Sequence, residues 1–337
     1  RLKEYGVKNV FGIPGGASIP YIEKMREEGI GFVLTSHESS AAVMADVTAR
    51  ITGVTGVCHG TYGAGATNLL TGVGGALLDR SPVIALTSVL SEKWTGRTAQ
   101  MNIDHLSLFR PVTKASFRLN AEDADMIIRK AFSIANSEYP GPVHIGLPDD
   151  IAGKETLCFS SAELSQTESV MDDISVLIGK ARSPVIAIGL TAARLGIGGK
   201  ILELLDKKPV PVVVTPMAGR VIPHQHPCFA GVLFHALSDR LKLLTDKADL
   251  IIGLGYDPVE YNYESWMPDV PLVHFGTIIT DLPSDDTLKF ISKPEQWFGP
   301  LQSLKSNPDM ILLAGEVRKA VNEALSANFP GLSPVDV

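Results

Sequence analysis

Val54-Thr55-Gly56-Val57-Cys58 is a short apolar run, and Gly60-Thr61-Tyr62-Gly63-Ala64-Gly65-Ala66-Thr67-Asn68 follows it as a glycine-rich segment. The next residues, up to about Leu78, are again mostly apolar. This order predicts a strand, a tight loop and a helix. Because the first run is apolar throughout and does not alternate, it is typical of a strand buried on both faces of a parallel sheet.

The same order of short apolar strand and helix recurs on both sides of this stretch. We expect further strands over 9–13, 32–35, 83–87 and 143–147, with helices over 19–28, 40–51 and 121–137. Alternation of strands and helices predicts a parallel, doubly wound sheet. The residues before Gly6 are typical of the end of a helix, for which glycine is a common stop.

A second series of this kind begins after a polar stretch rich in Ser, Thr, Glu and Asp. Its expected strands are 185–189, 210–215, 250–255 and 272–275. The predicted fold class is therefore α/β, with two doubly wound, mostly parallel-sheet domains in tandem. The expected boundaries are 1–152 for the first domain, 153–175 for a linker, 176–307 for a central Rossmann-like domain, and 308–337 for a tail helix leading to a further domain.

Composition and charge limit the classes of protein to consider. The 337 residues are 45% hydrophobic, which is enough to build the cores of two domains. The net charge of -7 and the absence of a Lys/Arg cluster argue against nucleic acid or a membrane surface as partner. Cys58, Cys158 and Cys228 are far apart, so we expect no disulfide framework or zinc site, and we expect a cytoplasmic protein.

Three segments carry residues suited to chemistry at the carboxyl ends of the predicted strands. Glu38 follows the strand 32–35, at the edge where open α/β sheets bind ligands, although an acidic residue there also suits the first turn of a helix. The loop 60–68 allows close backbone approach to a ring or a phosphate, although it lacks the GxGxxG and Walker patterns. Pro14-Gly15-Gly16 is a tight turn, which turn chemistry alone can explain.

Taken together, the motifs have a specific order. In the first domain they are Gly12-Ile13-Pro14-Gly15-Gly16, His37-Glu38 with Ala41-Ala42, Gly63-Ala64-Gly65-Ala66-Thr67-Asn68, Asp104-His105 with Leu108-Phe109-Arg110-Pro111, Lys114, and Gly141-Pro142-Val143. In the second they are Val221-Ile222-Pro223 with Pro227, and Gly255-Tyr256-Asp257-Pro258-Val259-Glu260-Tyr261. This set resembles the pyrimidine-binding and central domains of thiamine-diphosphate enzymes of the acetolactate synthase type. The last run most resembles the catabolic members, which do without FAD.

The resemblance implies a role for each candidate residue. Glu38 would be the catalytic carboxyl, whose hydrogen bond to N1′ of the aminopyrimidine favours the imino tautomer that takes the C2 proton of the thiazolium. The implied cofactor-binding residues are Gly63, Ala64, Gly65 and Asn68. The implied substrate-side residues are Pro14, Gly15, Gly16, Gln100, Met101, Phe109 and Lys114.

The resemblance also implies a reaction and its cofactors. Pyruvate, a small 2-oxo acid, would be decarboxylated and condensed with a second pyruvate to 2-acetolactate. Thiamine diphosphate and Mg²⁺ would serve the complete enzyme as a homodimer or tetramer, and FAD is not expected. The family's diphosphate-binding domain, with its Gly-Asp-Gly segment and downstream Asn, has no counterpart after Gly315. We therefore expect no metal ligands in this chain and little activity from it alone.

Departures from the family pattern leave other functions open. A glutamine common near the reacting carbon falls at Met101, with Gln100 one position early, so another thiamine-diphosphate decarboxylase or acetyltransferase is an alternative. A catalytically silent scaffold that only dimerises is a second alternative. For dimerisation we expect helices 40–51 and 67–78 to contribute, because their residues are apolar or small around nearly the whole helix.

Overall fold

The computed structural model describes residues 1–94, 97–154, 171–233, 238–278 and 287–327. The chain divides into two compact units, Arg1–Leu164 and Ser165–Val337. Each unit holds one six-stranded sheet with helices around it, which confirms the α/β class and the tandem arrangement. All the described strand pairs are parallel. A helix long and apolar enough to cross a membrane is not found in the described ranges.

The first unit is a doubly wound sheet with the strand order β2-β1-β3-β4-β6-β5. Its strands are β1 (Asn9–Gly12), β2 (Gly31–Leu34), β3 (Gly56–Gly60), β4 (Val83–Val89), β5 (Ala115–Arg118) and β6 (Val143–Pro148). Its helices are α1 (Ile19–Glu27), α2 (Glu38–Thr52), α3 (Ala64–Leu78), α4 (His105–Phe109) and α5 (Ala124–Asn136).

The sequence predicts every strand of this sheet except β5. The inner strands β3 and β6 are buried at each residue, so they stand out as apolar runs. β5 lies at the edge of the sheet, and its residues are only half-buried. An edge strand needs no continuous apolar run, and this explains why the sequence does not mark it.

The residues before Gly6 form a helix-like turn, not the regular helix expected from the sequence. Val7 N donates to Leu2 O at 3.1 Å, and Gly6 N donates to Lys3 O at 3.0 Å. This pair of bonds is the Schellman pattern of a helix end. Gly6 has φ +79°, a left-handed conformation that glycine adopts without strain.

The second unit is built on the strand order β12-β11-β10-β7-β8-β9. Its strands are β7 (Pro184–Ile188), β8 (Val212–Val214), β9 (Phe229–Val232), β10 (Leu250–Leu254), β11 (Leu272–Gly276) and β12 (Leu288–Ile291). Its helices are α6 (Met171–Lys180), α7 (Leu190–Arg194), α8 (Gly198–Lys207), α9 (Ser238–Thr245), α10 (Phe298–Leu301) and α11 (Pro308–Ala327).

The sequence does not predict all the strands and helices of this unit. The two outermost strands, β9 and β12, are not predicted. Residues 155–170 of the expected linker lie outside the described residues, and its last part is wrong because Met171 begins helix α6. Ile174 and Ile178 are one turn apart and fully buried, which makes this segment a packed helix. The expected tail helix is α11, and residues 328–337 lie outside the described ranges.

Glu260 connects three segments at the carboxyl ends of β7 and β8. Its Oε1 accepts a hydrogen bond from Met217 N at 2.8 Å. Its Oε2 accepts from Thr215 Oγ1 at 2.6 Å and from Leu190 N at 3.2 Å. Glu260 of the Gly255–Tyr261 motif therefore serves the architecture of the second unit.

Helices α2 and α3 pack against each other with almost no space between their backbones. A Cβ placed at Gly72 of α3 would lie 2.6 Å from Ala42 Cβ and 2.8 Å from Ser39 O in α2. Ala42 is itself fully buried. Only glycine at position 72 permits this separation of the two helices.

A chain of hydrogen bonds crosses the buried part of the first unit. Ser116 Oγ lies 2.7 Å from His144 Nδ1, and His144 Nε2 lies 2.8 Å from Thr87 Oγ1. Thr87 Oγ1 also lies 2.8 Å from His105 Nδ1. Burial lowers the pKa of His144 to about 3 and that of His105 to about 4, so both rings are neutral at physiological pH.

We predict that Gly72→Ala destabilises the protein by about 1–3 kcal/mol, because the new methyl group overlaps α2. The matched control is Gly74→Ala in the same helix, where a Cβ meets only Val112 Cγ1 at 3.6 Å. The control should be neutral or stabilising by up to about 1 kcal/mol, since alanine favours helices over glycine. Urea unfolding measures both values. Equal effects of the two substitutions would contradict the close packing of α2 and α3.

We predict that His144 makes the protein less stable as pH falls. Its folded pKa is below that of an unfolded histidine, so between about pH 6.5 and about pH 3 the unfolded chain binds the extra proton. The stability is therefore full above about pH 6.5 and decreases below it, by about 2 kcal/mol between pH 7 and pH 5. His144→Gln should lose this part of the pH dependence in urea unfolding. An unchanged slope in the variant would contradict the prediction.

Candidate functional site

Glu38 begins helix α2 at the carboxyl ends of the first sheet's strands. β2 ends at Leu34, and the short turn that follows is held by Thr35 Oγ1, which donates to His37 O at 3.0 Å. His37 caps the helix, because its Nδ1 accepts a hydrogen bond from Ser39 N at 3.1 Å. Glu38 is only 6% exposed. A carboxyl group is thus fixed in a largely buried position at the edge where parallel sheets bind ligands.

The Glu38 carboxylate contacts the neighbouring helix through Asn68. Asn68 Nδ2 donates to Glu38 Oε2 at 2.9 Å. Ser39 Oγ donates to Asn68 O at 2.6 Å, so two hydrogen bonds join the start of α2 to Asn68 of α3. These bonds orient the carboxyl group so that Oε1 faces the glycine loop.

The loop between β3 and α3 places glycine backbone beside this carboxylate. Gly63 has φ +54° and ψ −107°, which side chains rarely allow. A Cβ at Gly65 would lie 3.3 Å from Glu38 Oε1 and 3.1 Å from Thr61 Cγ2. Ala64 is exposed at the start of α3. Gly65 therefore lets the loop backbone approach Glu38 and Thr61 closely.

The turn Pro14-Gly15-Gly16 lies against the same loop. A Cβ at Gly15 would lie 2.1 Å from Thr61 Oγ1, so this glycine is needed for the contact. The turn is locked by Ser18, whose Oγ donates to Gly15 O at 2.8 Å and accepts from Gly15 N at 2.9 Å. Pro14 and Gly16 are exposed. The structure thus brings this turn together with the glycine loop and Glu38.

Met101 reaches the glycine loop through its backbone. A Cβ at Gly63 would lie 3.0 Å from Met101 O and 3.1 Å from Met101 Cβ. Met101 has φ +60°, a left-handed conformation uncommon for a side chain of this size. Its side chain is exposed, as is that of Gln100. Met101 is therefore close to the loop, and Gln100 precedes it in the chain.

Phe109 does not reach this group, contrary to the expectation that it lies on the substrate side. It is fully buried and stacks on His144, with ring centroids 4.1 Å apart. Phe109 ends helix α4 and packs into the apolar core against Leu69 and Val73 of α3. Phe109 is therefore a core residue of the first unit.

Lys114 also lies away from Glu38 within this unit, and its substrate-side role stays a prediction. It immediately precedes β5, so it stands at the amino ends of the parallel strands, on the opposite edge of the sheet. Its Nζ donates to Ser137 O at 2.9 Å and to Tyr139 O at 2.6 Å. The chain from α4 onward runs back along the sheet, which spacing in the sequence does not reveal.

Two residues near the site are not identified from the sequence. Thr61 lies between the two glycine turns, and its position directly after β3 was the available signal. His59 of β3 is buried, with Nδ1 3.2 Å from Ile13 O and with no hydrogen-bond partner for Nε2 among the described residues. Burial lowers the pKa of His59 to about 4. A histidine inside an apolar strand gives no such signal by itself.

One carboxyl group, one amide and a glycine-containing loop converge at the sheet edge. In the parts of the chain that the structure covers, no three or more His, Cys, Asp or Glu side chains are placed to hold a metal ion.

Comparison with known proteins gives the same family for both units. Residues 1–108 match the family described as "Thiamine pyrophosphate enzyme, N-terminal TPP binding domain", and residues 171–285 match "Thiamine pyrophosphate enzyme, central domain". Thiamine pyrophosphate is another name for thiamine diphosphate.

Curated relatives agree with this family. A probable acetolactate synthase large subunit of Methanocaldococcus jannaschii is 34% identical over 81% of this chain and 49% of that protein. The acetolactate synthase isozyme 2 large subunit of Escherichia coli is 32% identical over 81% of this chain and 52% of that protein. The chain spans about half the length of the curated relatives it matches. The chain belongs to the thiamine pyrophosphate enzyme family and is similar to acetolactate synthase large subunits.

Proposed function

We propose that this chain forms part of a carboligase that makes 2-acetolactate from pyruvate. In this reaction one pyruvate loses CO₂, and its remaining acetyl unit forms a carbon–carbon bond to the carbonyl carbon of a second pyruvate. Two pyruvate anions and one proton thus give one 2-acetolactate anion and one CO₂. The observation that carries the proposal is the contact of Glu38 with Asn68 beside the glycine loop, in a chain similar to acetolactate synthases.

The residues at this site fit the pyrimidine half of thiamine diphosphate. Gly63 and Gly65 let the loop backbone approach Met101, Thr61 and Glu38 closely, and we propose that the ring lies at the margin of this loop. Glu38 offers a carboxyl oxygen beside the same loop, and Asn68 holds the other oxygen. When bound, the cofactor supplies a nucleophilic ring carbon and an electron sink.

The chain's own residues would orient this ring and exchange a proton with it. Glu38 would hydrogen-bond a ring nitrogen through its carboxyl group, and burial of the carboxyl group strengthens that bond by excluding water. Asn68 would keep the carboxyl plane fixed during proton exchange. The turn at Gly15 and the backbone at Met101 would bound the space left for a small 2-oxo acid.

Mg²⁺ belongs to the proposed cofactor set, and FAD does not. Mg²⁺ would accompany the diphosphate, since it binds phosphate oxygens together with hard oxygen ligands. We leave FAD out because Glu260 already accepts hydrogen bonds from backbone N–H groups of the second unit. Leu190 N and Met217 N lie at the carboxyl edge of the second sheet, where open α/β sheets bind dinucleotides, and both already donate to Glu260.

A second candidate is a thiamine-diphosphate decarboxylase or acetyltransferase with another acceptor. It is favoured by Met101, whose thioether cannot offer the hydrogen bonds of an amide at this position of the loop. Both candidates use Glu38 in the same way. They differ in the acceptor that receives the acetyl unit.

We also propose that a second copy of the chain covers an exposed apolar stripe on α2. Val43, Met44, Val47 and Ile51 recur at helical spacing and are 48%, 44%, 37% and 78% exposed. A row of apolar side chains exposed on one helix suits a protein contact better than contact with water. The assembly would be a homodimer, or a tetramer built from such dimers.

Glu38→Gln tests the proposed function. The complete enzyme that includes this chain should form 2-acetolactate and CO₂ from pyruvate with thiamine diphosphate and Mg²⁺, and the variant should lower its kcat by about 100-fold or more because it cannot exchange the proton. The chain by itself should show little activity. Glu38→Asp should retain intermediate activity. The circular dichroism of the folded variants should match that of the wild type.

The products decide among the candidates. Acetaldehyde without acetolactate would indicate a decarboxylase, and full activity of Glu38→Gln would remove Glu38 from the catalytic role. A complete, folded enzyme that neither binds thiamine diphosphate in calorimetry nor consumes pyruvate would indicate the silent scaffold.

Val47→Glu tests the assembly. A carboxylate in the centre of the stripe should shift the protein toward monomers, because a buried unpaired charge is costly. Leu312→Glu in α11 is the control, since Leu312 is 69% exposed on another unit. Light scattering over a dilution series measures both. A wild-type protein that is monomeric at micromolar concentration, or a dimer unchanged by Val47→Glu, would count against the second copy on α2.

A further inference from the structure

His59 lies at the point where the pairing of β1 with β3 ends. The register pairs Phe11 with Cys58 and Gly12 with His59, and the turn towards α1 begins directly after Gly12. The side chain of His59 extends this contact by one residue, because its Nδ1 lies 3.2 Å from Ile13 O. A side-chain hydrogen bond thus holds the first residue of the turn where the backbone pairing has stopped.

This bond determines which nitrogen of the His59 ring carries the proton. A backbone carbonyl can only accept, so Nδ1 carries the proton and donates it to Ile13 O. His59 is 2% exposed, and burial lowers its pKa to about 4, so the ring is neutral at physiological pH. Nε2 is therefore an acceptor, and it has no hydrogen-bond partner among the described residues.

A buried acceptor without a partner needs a reason, because leaving it unpaired costs free energy. The surroundings of the ring give no reason of their own, since Phe32 lies edge-on to it with ring centroids 6.1 Å apart. A leucine would fill an apolar place of this kind without the unpaired nitrogen. Histidine is thus a poor choice for packing here, and its advantage is the bond to Ile13 O.

The bond to Ile13 fixes the turn 12–16 relative to the glycine loop. Gly15 of the turn lies against the loop, because a Cβ there would be 2.1 Å from Thr61 Oγ1. Thr61 follows His59 by two residues, so both contacts join the turn to the end of β3 and the residues directly after it. With Ile13 and Gly15 both held, the turn has a defined position beside the site.

The carboxyl group of the site has a separate support. Glu38 is oriented from α3, by the hydrogen bond from Asn68. Successive residues of a strand point to opposite faces of the sheet, so His59 shares the face of Val57. Cys58, between them, packs in the cluster with α2 and α3, whereas Val57 belongs to the core on the other face. Loss of the His59 bond should therefore move the turn and leave the carboxyl group in place.

We propose that His59 is a positioning residue for the small 2-oxo acid. Its Nδ1–H bond to Ile13 O holds the turn 12–16 at the distance from the glycine loop that the substrate requires. The unpaired Nε2 is the cost of placing a donor at this point. The proposal rests on the proposed function, in which this turn bounds the space left for the substrate.

NMR of the ¹⁵N-histidine-labelled chain tests the bond without reference to activity. We expect the proton of the neutral His59 ring on Nδ1, and the signals lost in His59→Leu identify the residue. The amide signals of Gly15 and Gly16 should shift in His59→Leu. They should return towards their wild-type positions in His59→Asn, because the amide nitrogen of asparagine branches from Cγ as Nδ1 does.

Steady-state kinetics of the complete enzyme that includes this chain test the role. His59→Leu should raise the KM for pyruvate by about tenfold and change kcat by less than about threefold, since Glu38 can still exchange its proton. His59→Asn should keep the KM within about threefold of the wild type, because it keeps the donor. In urea unfolding His59→Leu should not lower the midpoint, because it also removes the unpaired acceptor.

His274→Leu is the matched control. His274 is a second buried strand histidine, 1% exposed, whose Nδ1 lies 3.1 Å from Tyr263 Oη in the second unit. Burial lowers its pKa to about 4, so this ring is neutral as well. The variant should lower the urea midpoint, because it removes a hydrogen bond from the core, and it should leave the KM unchanged.

The proposal is overturned by any of four results. These are a proton on Nε2 of His59, a KM of His59→Leu within about twofold of the wild type, a His59→Asn variant as impaired as His59→Leu, and a fall in the urea midpoint of His59→Leu as large as that of His274→Leu. If His59→Leu does not fold, the proton position and the KM of His59→Asn decide.

Failure of the proposed function gives a different result. An enzyme that forms no 2-acetolactate would refute that function. The proton on Nδ1 and the Gly15 and Gly16 signals would still show whether His59 holds the turn.

Discussion

The contact of Gly72 with Ala42 is the constraint on which the first unit's candidate site depends. It sets the distance between α2 and α3, and the amino-terminal parts of these helices carry Glu38 and Asn68. Their hydrogen bond at 2.9 Å exists because the two backbones approach so closely. A larger residue at position 72 would separate the helices and move the carboxyl group away from its amide partner. Packing in the core thus determines the geometry of the site.

Parallel strands account for how residues far apart in the sequence converge. Glu38 follows β2, the turn at Gly15 follows β1, and the loop at Gly63 follows β3, so all three stand at one edge of the sheet. The same rule places a cavity lined by Arg118 and Trp94 on that edge, beyond β4. One edge therefore offers two different environments. The first is built from glycine backbone and a carboxyl group, and the second from a guanidinium and an indole.

The sequence predicts the parts of this molecule that follow from burial and turn chemistry. The inner strands and the position of Glu38 at a strand end could be derived in this way, because apolar runs and glycines have local causes. The placement of Phe109 and Lys114 could not be derived. The positions of these two side chains depend on the path of the chain from α4 back along the sheet to the amino end of β5. That path is a tertiary feature without a local signal in the sequence. The sequence does not predict edge strands such as β5 for a related reason, because partial burial weakens the apolar pattern.

The bonds of Glu260 have a consequence for competition by dissolved anions. The carboxylate is tethered to the amides it binds by the chain itself, through the loop that begins at Gly255. Tethering gives it an effective concentration in the millimolar range or above at those amides. A free phosphate at lower concentration must displace this built-in competitor before it can bind. The amides of Leu190 and Met217 are thereby protected from competition by small dissolved anions.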